Sequence, residues 1–277
     1  MCRTSIKAVK RIVVKVGTSS LILPNGKINL RAIDQMAFTL TTLNNEGYEV
    51  ILVSSGAIGA GLHQLGLDKR PTTISRQQAV AAIGQSELIK IYNQRFQYYD
   101  QTSAQVLLTR DVVDYPESRR NVINTIQELL EMKVIPIINE NDSVAVDELD
   151  HLTKFGDNDQ LSAIVAHLSD ADLLIMLSDI DGFYSDNPTT NPEAKLYHRI
   201  SEITSDLEAA AGGEGSRFGT GGMSSKLKAA KRVFKRDSQM ILANGKDPKI
   251  IFDILAGQSI GTLFASDTYQ QEEHKND

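Results

Sequence analysis

Short runs of β-branched and aliphatic residues alternate along this chain with longer stretches in which apolar positions recur every three or four residues. That is the pattern of a sheet flanked by helices. Ile12, Val13, Val14, Lys15 and Val16 predict a first strand, Val50 to Val53 a second and Gln105 to Leu108 a third. Residues 134–138 predict a fourth strand, 173–177 a fifth and 239–243 a later one. Helical spacing covers residues 30–45, with Ile33, Met36, Ala37, Leu40 and Leu43 on one face and Gly47 as the stop. Further helices are predicted over 75–96, 118–132, 159–168 and 224–234. Strands this continuously apolar are covered on both faces, so the fold class read from the pattern is α/β. Pro136 cannot donate to a ladder and is expected near an edge or a strand end.

In such sheets ligands gather at the carboxyl ends of the strands, and here those ends are polar. The first strand runs into Gly17, Thr18, Ser19 and Ser20, and the second into Ser54, Ser55, Gly56, Ala57, Ile58, Gly59, Ala60 and Gly61. The fourth ends in Asn139, Glu140, Asn141 and Asp142, and the fifth in Ser178, Asp179, Ile180, Asp181 and Gly182. Glycines, hydroxyls, amides and acids are what phosphate and amino-acid recognition require, although any one tip alone reads equally as loop chemistry. Lys15 interrupts an apolar strand, and an unpaired buried charge costs several kcal/mol, so it must reach solvent or meet an opposite charge. It reads either as a snorkelling lysine or as an anion ligand. Gly17 beside it favours the second, because glycine lets backbone N–H groups approach an anion.

A second glycine-rich element, Gly219, Thr220, Gly221, Gly222, Met223, Ser224, Ser225 and Lys226, leads into the predicted helix over 224–234. Backbone donors, two serines, a lysine and a helix start make a phosphate site. It is not a Walker A loop, because Ser225 stands where that motif has glycine before the lysine. The protein-kinase motifs and a dinucleotide fingerprint after the first strand are absent as well. Gly156, Asp157, Asn158 and Asp159 open the helix over 159–168, where acids commonly act as caps. A carboxylate there could instead hold two lysines in fixed positions. The Asp179–Asp181 stretch reaches glycine too early for a calcium loop, and the histidines show no metal spacing.

Composition narrows the classes further. The chain has 277 residues, 41% hydrophobic and 23% charged, enough to bury a sizeable core. A net charge of −6 and a pI near 5.5 give no footprint for wrapping nucleic acid. The single cysteine, Cys2, cannot form an internal disulfide, and the first apolar run is too short for a signal peptide or a membrane span. The expected location is the cytoplasm.

Taken in order, the blocks at Val14–Ser19, Ser54–Ile58, Asn139–Asp142, 156–159 and 219–226 resemble the amino acid kinase family, on its glutamate-phosphorylating branch. The resemblance runs over about residues 11–264. It implies a mainly parallel β-sheet between helical layers, an αβα sandwich over residues 1–265. An amino-acid-binding lobe would span roughly 1–170 and a nucleotide-binding lobe 171–265, with 266–277 as a polar tail. It also implies ATP, Mg²⁺ and L-glutamate, with glutamyl 5-phosphate as product at the entry to proline synthesis, proline as inhibitor and a homo-oligomeric assembly.

Carried over by position, the family pattern assigns Lys15 and Lys226 to the transferring phosphoryl group, with Asp159 as their organiser. Ser55, Asp142 and Asn158 match the glutamate positions. Ser178, Asp179, Thr220, Gly221, Gly222, Met223, Ser224, Ser225 and Lys226 match the nucleotide segments, and the metal ligands are not assigned. The chemistry agrees independently, since a carboxylate of pKa about 4.3 is ionised at neutral pH and needs no general base. Many members carry a further C-terminal domain of the PUA type; the short polar stretch after Phe264 is not expected to form one. The segment 143–155 is long for the family pattern and is expected to act as a lid over glutamate and to carry the inhibitor response. The alternatives are a family member acting on acetylglutamate, aspartate, carbamate or uridylate, or a non-catalytic amino-acid sensor on the same fold.

Overall fold

Strand β1, Arg11–Val16, lies inside the sheet, and its alternation explains the layers on either side. A computed structural model describes residues 9–144, 157–212, 222–234 and 238–266. In it Ile12, Val14 and Val16 pack into one apolar cluster and Val13 into another, because successive side chains leave a strand on opposite faces. β1 pairs in parallel with β2, Glu49–Ser54, on one side and with β5, Leu173–Ser178, on the other. Beyond β2 lie β4, Ile135–Glu140, and the edge strand β3, Ser103–Leu108. Beyond β5 lie β7, Gln239–Asn244, then β8, Thr262–Phe264, and β6, Arg199–Ile200. All pairings are parallel except β7 with β8.

Helices cover both faces. α2, Leu30–Asn45, α4, Ile74–Tyr98, and α10, Ile250–Leu255, contribute to the cluster of Ile12 and Val14. α6, Pro116–Glu131, α7, Asn158–Leu168, and α9, Gly222–Phe234, contribute to that of Val13. The remaining helices among the described residues are α1, Thr18–Leu21, α3, Ala57–Leu65, α5, Asp111–Asp114, and α8, Ser205–Gly212. The expected αβα sandwich is therefore observed, and the strands and long helices lie where the apolar pattern put them. Gly47 follows the end of α2 with φ +97, the left-handed geometry that stops a helix. Among the described residues no helix is long and apolar enough to cross a membrane.

Pro136 sits at the second position of β4, one strand in from the edge. The Ile135 N–H donates to Thr102 on the β3 side, so alternation turns position 136 towards β2. There the ladder begins only at Ile137, opposite Leu52. The missing donor therefore falls where no hydrogen bond is required.

The glycines after β2 need a different reading from the one their position suggested. Gly56 has φ +96, a left-handed turn into α3 that a side chain would strain. Gly59 and Gly61 are not loop residues but lie inside α3, where they let it press against its neighbours. A Cβ on Gly84 of α4 would collide with the backbone of Ala57 and Gly61, and one on Gly61 with the Val80 carbonyl. These glycines set the approach of α3 to α4, which leaves Gly56 alone to shape the tip. Gly84→Ala is therefore expected to destabilise the fold by about 1–3 kcal/mol, the usual cost of overpacking. An unchanged urea midpoint would mean that the two helices are not in backbone contact.

Candidate active site

The centre of the site is a single carboxylate between two lysines. Because Lys15 shares the face of Val13, the strand directs it into the layer that holds α7. Asp159 is in the first turn of α7, and its Oδ1 lies 2.6 Å from Lys15 Nζ. Its other oxygen, Oδ2, lies 3.2 Å from Lys226 Nζ and accepts a 2.5 Å hydrogen bond from the Ser225 hydroxyl, both in the first turns of α9. Lys226 also donates to the Gly222 carbonyl at 3.1 Å, which fixes its amine over the start of that helix. Ser225 thus explains why this loop differs from a Walker A: the hydroxyl in place of glycine holds Asp159.

Lys15 is only 7% exposed and Asp159 only 4%, so neither charge could stay here alone. Burial alone would push the Asp159 carboxyl up. The positive charges of Lys15 and then Lys226, with hydrogen bonds from Lys15 and Ser225, outweigh that and hold it below the usual carboxylate range. Two cations against one anion leave the Lys15, Asp159 and Lys226 group with a net positive charge. A Cβ on Gly17 would stand 3.4 Å from Lys15 Nζ, so the bare glycine keeps the amine open to an incoming group.

The neighbouring acid has a different task. Asp157 is the N-cap of α7, accepting from the Gln160 N–H at 3.0 Å. The two roles weighed for this block, cap and lysine holder, are therefore both filled, by different residues.

Beside this centre lies an amide and hydroxyl cluster. Asn158 donates through Nδ2 to the Ser54 carbonyl at 2.8 Å, the Ser55 hydroxyl at 2.7 Å and Asn139 Oδ1 at 3.0 Å. Asn139 passes the network on to Gln85 at 2.8 Å. Gln85 in turn lines a cavity of about 260 Å³ together with Ala57, Glu140, Asn141 and Asp142. The structure thus brings Ser55 and Asn158 into contact and sets Asp142 in the cavity reached through Asn139. Asn139 is visible in the sequence as part of a polar strand tip and of the Asn139–Asp142 block but without an assigned role, and Gln85, in mid-helix, gives no signal. A third such residue is Gln160, whose side-chain amide donates to the Ser225 carbonyl at 2.9 Å while its oxygen accepts from Arg232 at 3.1 Å.

On the other side of β1, the tip of β5 places Ser178 and Asp179 beside the tip of β1, with the Ser178 hydroxyl on the Asp179 carboxylate at 3.1 Å. The Gly245 N–H donates to the Ser178 carbonyl at 2.7 Å, tying in the end of β7. Met223 is buried, and Ser224 lies in the first turn of α9. Thr220, Gly221, Gly156 and positions 145–155 of the expected lid lie outside the described residues. Among the described residues no three His, Cys, Asp or Glu side chains converge as a metal site.

Three comparisons place this geometry among known proteins. The amino acid kinase family pattern matches residues 10–244. A glutamate 5-kinase of Enterococcus faecalis is 67% identical, the match covering 98% of this chain and all of the relative. Glutamate 5-kinases of Listeria monocytogenes and Lactiplantibacillus plantarum are 60% and 62% identical, over 99% and 92% of this chain and 99% and 96% of theirs. Carbamate kinase from Giardia lamblia bound to AMP-PNP superposes with a TM-score of 0.66 at 17% identity, covering 94% of this chain and 100% of that one. An isopentenyl phosphate kinase from T. acidophilum gives 0.61 at 17%, covering 92% and 99%. At those identities the structural matches speak for the fold alone. The sequence matches carry more, and by them the chain belongs to the amino acid kinase family and groups within it with the glutamate 5-kinases.

Proposed function

We propose that this chain transfers the γ-phosphoryl group of ATP to the side-chain carboxylate of L-glutamate, giving glutamyl 5-phosphate, the first step of proline biosynthesis. The observation that carries the chemistry is Asp159 between Lys15 and Lys226. An anionic nucleophile must approach an anionic phosphoryl group, and the main obstacle is their repulsion. Two ammonium groups fixed in place by one carboxylate stabilise the charge on the transferring group without having to reorganise. No base is needed, because the acceptor is already ionised.

In this reading Lys15 and Lys226 contact the transferring phosphoryl group and Asp159 positions both. Asp142 meets the α-ammonium of glutamate, a contact that a plain dicarboxylate lacks. Ser55 and Asn158 orient the rest of the substrate. Ser178, Asp179 and residues 220–226 hold the nucleotide. An amino-acid-binding lobe, residues 1–170, and a nucleotide-binding lobe, 171–265, then meet at β1. Both Asp159 oxygens are engaged by Lys15, Lys226 and Ser225. The described part of the chain offers Mg²⁺ no cage of its own, and an ion that favours phosphate oxygens and water would arrive on the nucleotide. Proline shares the α-ammonium and α-carboxylate of glutamate, and we assign its inhibition to the same cavity. A homo-oligomer is the assembly expected for this reading.

With ATP, Mg²⁺ and each candidate acceptor in turn, hydroxylamine trapping should detect an acyl phosphate from glutamate and little from acetylglutamate, aspartate or carbamate. No product with glutamate would overturn the assignment. Lys226→Ala should lower kcat by about two to three orders of magnitude, the scale of losing one transition-state donor, while glutamate still binds. Asp142→Ala should mainly raise the glutamate KM. An unaltered KM would contradict its contact with the ammonium.

The Asp159 carboxyl is lowered in the folded chain, so it contributes stability above its unfolded value, near 3.8, and that contribution is lost as pH falls through the still lower folded value. The stability difference between the wild type and Asp159→Asn should therefore shrink as pH drops below 3.8. A constant difference from pH 7 down to about 3 would mean that the ion pairs do not govern this residue.

A further inference from the structure

A second cavity, of about 550 Å³, opens between α6, α7 and α9. Its α7 wall is Gln160, Ala163, Ile164 and His167, positions that recur at i, i+3, i+4 and i+7 and so share one helix face. Its α9 wall is Lys228, Lys231 and Arg232, again one face, and Arg119 closes it from α6. These walls are formed mainly by the later turns of α7 and α9, whereas Asp159, Ser225 and Lys226 occupy the first turns.

The electrostatics of this groove run against those of the chain as a whole. The chain carries a net charge of −6, yet none of the residues lining the groove is acidic. Of Arg119, Lys228, Lys231 and Arg232, only Lys231 has a carboxylate partner among the described residues, Glu208. Arg119 donates to His167 Nε2 at 2.9 Å, because a guanidinium has no lone pair to accept with. That bond anchors Arg119 at the wall without neutralising it. Cations gathered in this way repel one another and draw in an anion. Beneath them Ala163, Ile164 and Leu168 form an apolar floor. The volume is that of a small-molecule site.

We propose that this groove is a second binding site, taking a small organic phosphate. The phosphoryl oxygens engage Arg119, Lys228, Lys231 and Arg232, with the arginines offering paired donors. The apolar or aromatic body of the ligand lies on Ala163 and Ile164.

Titration calorimetry of inorganic pyrophosphate into the full chain tests the site, and three variants separate it from the transfer centre. The binding event should survive Lys226→Ala and weaken by about tenfold or more in the Arg119→Ala/Lys228→Ala double variant, the scale expected for removing charged hydrogen bonds. Lys228→Glu, at an exposed position, should weaken it likewise and guards against misfolding of the double variant. In the Lys226→Ala background, AMP should bind more tightly than inorganic phosphate if the apolar floor is used. The site is overturned if no event survives Lys226→Ala, or if the groove variants bind pyrophosphate as the wild type does. Equal affinity for AMP and phosphate would overturn the role of the floor.

Discussion

Asp159 compensates two lysines at once, and the layers around it are arranged so that it can. A buried lysine without a partner costs several kcal/mol, and a lone buried carboxylate costs as much. Lys15 comes from the middle of the sheet, Lys226 from α9, and the carboxylate from the first turn of α7 between them. Three elements far apart in sequence must therefore meet within hydrogen-bonding distance. The Asp157 cap fixes where α7 begins, which in turn fixes where Asp159 sits. Under the proposed function, the positive charge that this group keeps after pairing is what an anionic transfer reaction needs.

The two halves of the site are built by different means. On the side of β2 and β4, a chain of side-chain amides runs from Asn158 through Asn139 to Gln85, and α3 lies close to α4 because Gly61 and Gly84 carry no side chains. On the other side of β1 the tips of β5 and β7 are joined through the backbone, by the bond from Gly245 to Ser178. β1 lies between the two, so Lys15 near its end stands between the amide cluster and the β5 tip.

Much of the fold could be read from the sequence because its strands are nearly unbroken runs of Val, Ile and Leu, and its long helices repeat at 3.6 residues. α3 is not legible in the sequence for a physical reason. Its glycines, which read as part of a polar strand tip, are there for close packing, and only the contacts of Gly59 with Ile22 and of Gly61 with α4 reveal it. β6 and β8 are not legible because two or three residues carry no period. Among site residues, Lys15 was conspicuous as a charge inside an apolar strand, and Asp159 and Lys226 through their ordered blocks. Gln85 and Gln160 are not, and Asn139 lies in such a block without a role of its own, since an amide becomes informative only when its partners are known.

Gln160 has a consequence for which surface positions can vary. A guanidinium only donates, so Arg232 holds the Gln160 oxygen on its own side, and the amide NH₂ must then face the Ser225 carbonyl. Ser225 in turn bonds Asp159. Arg232 is exposed and would pass for an interchangeable cation, yet three hydrogen bonds link it to the buried carboxylate. Lysine keeps the charge there but not the planar N–H that orients the amide, so drift at this outer position is constrained from the inside.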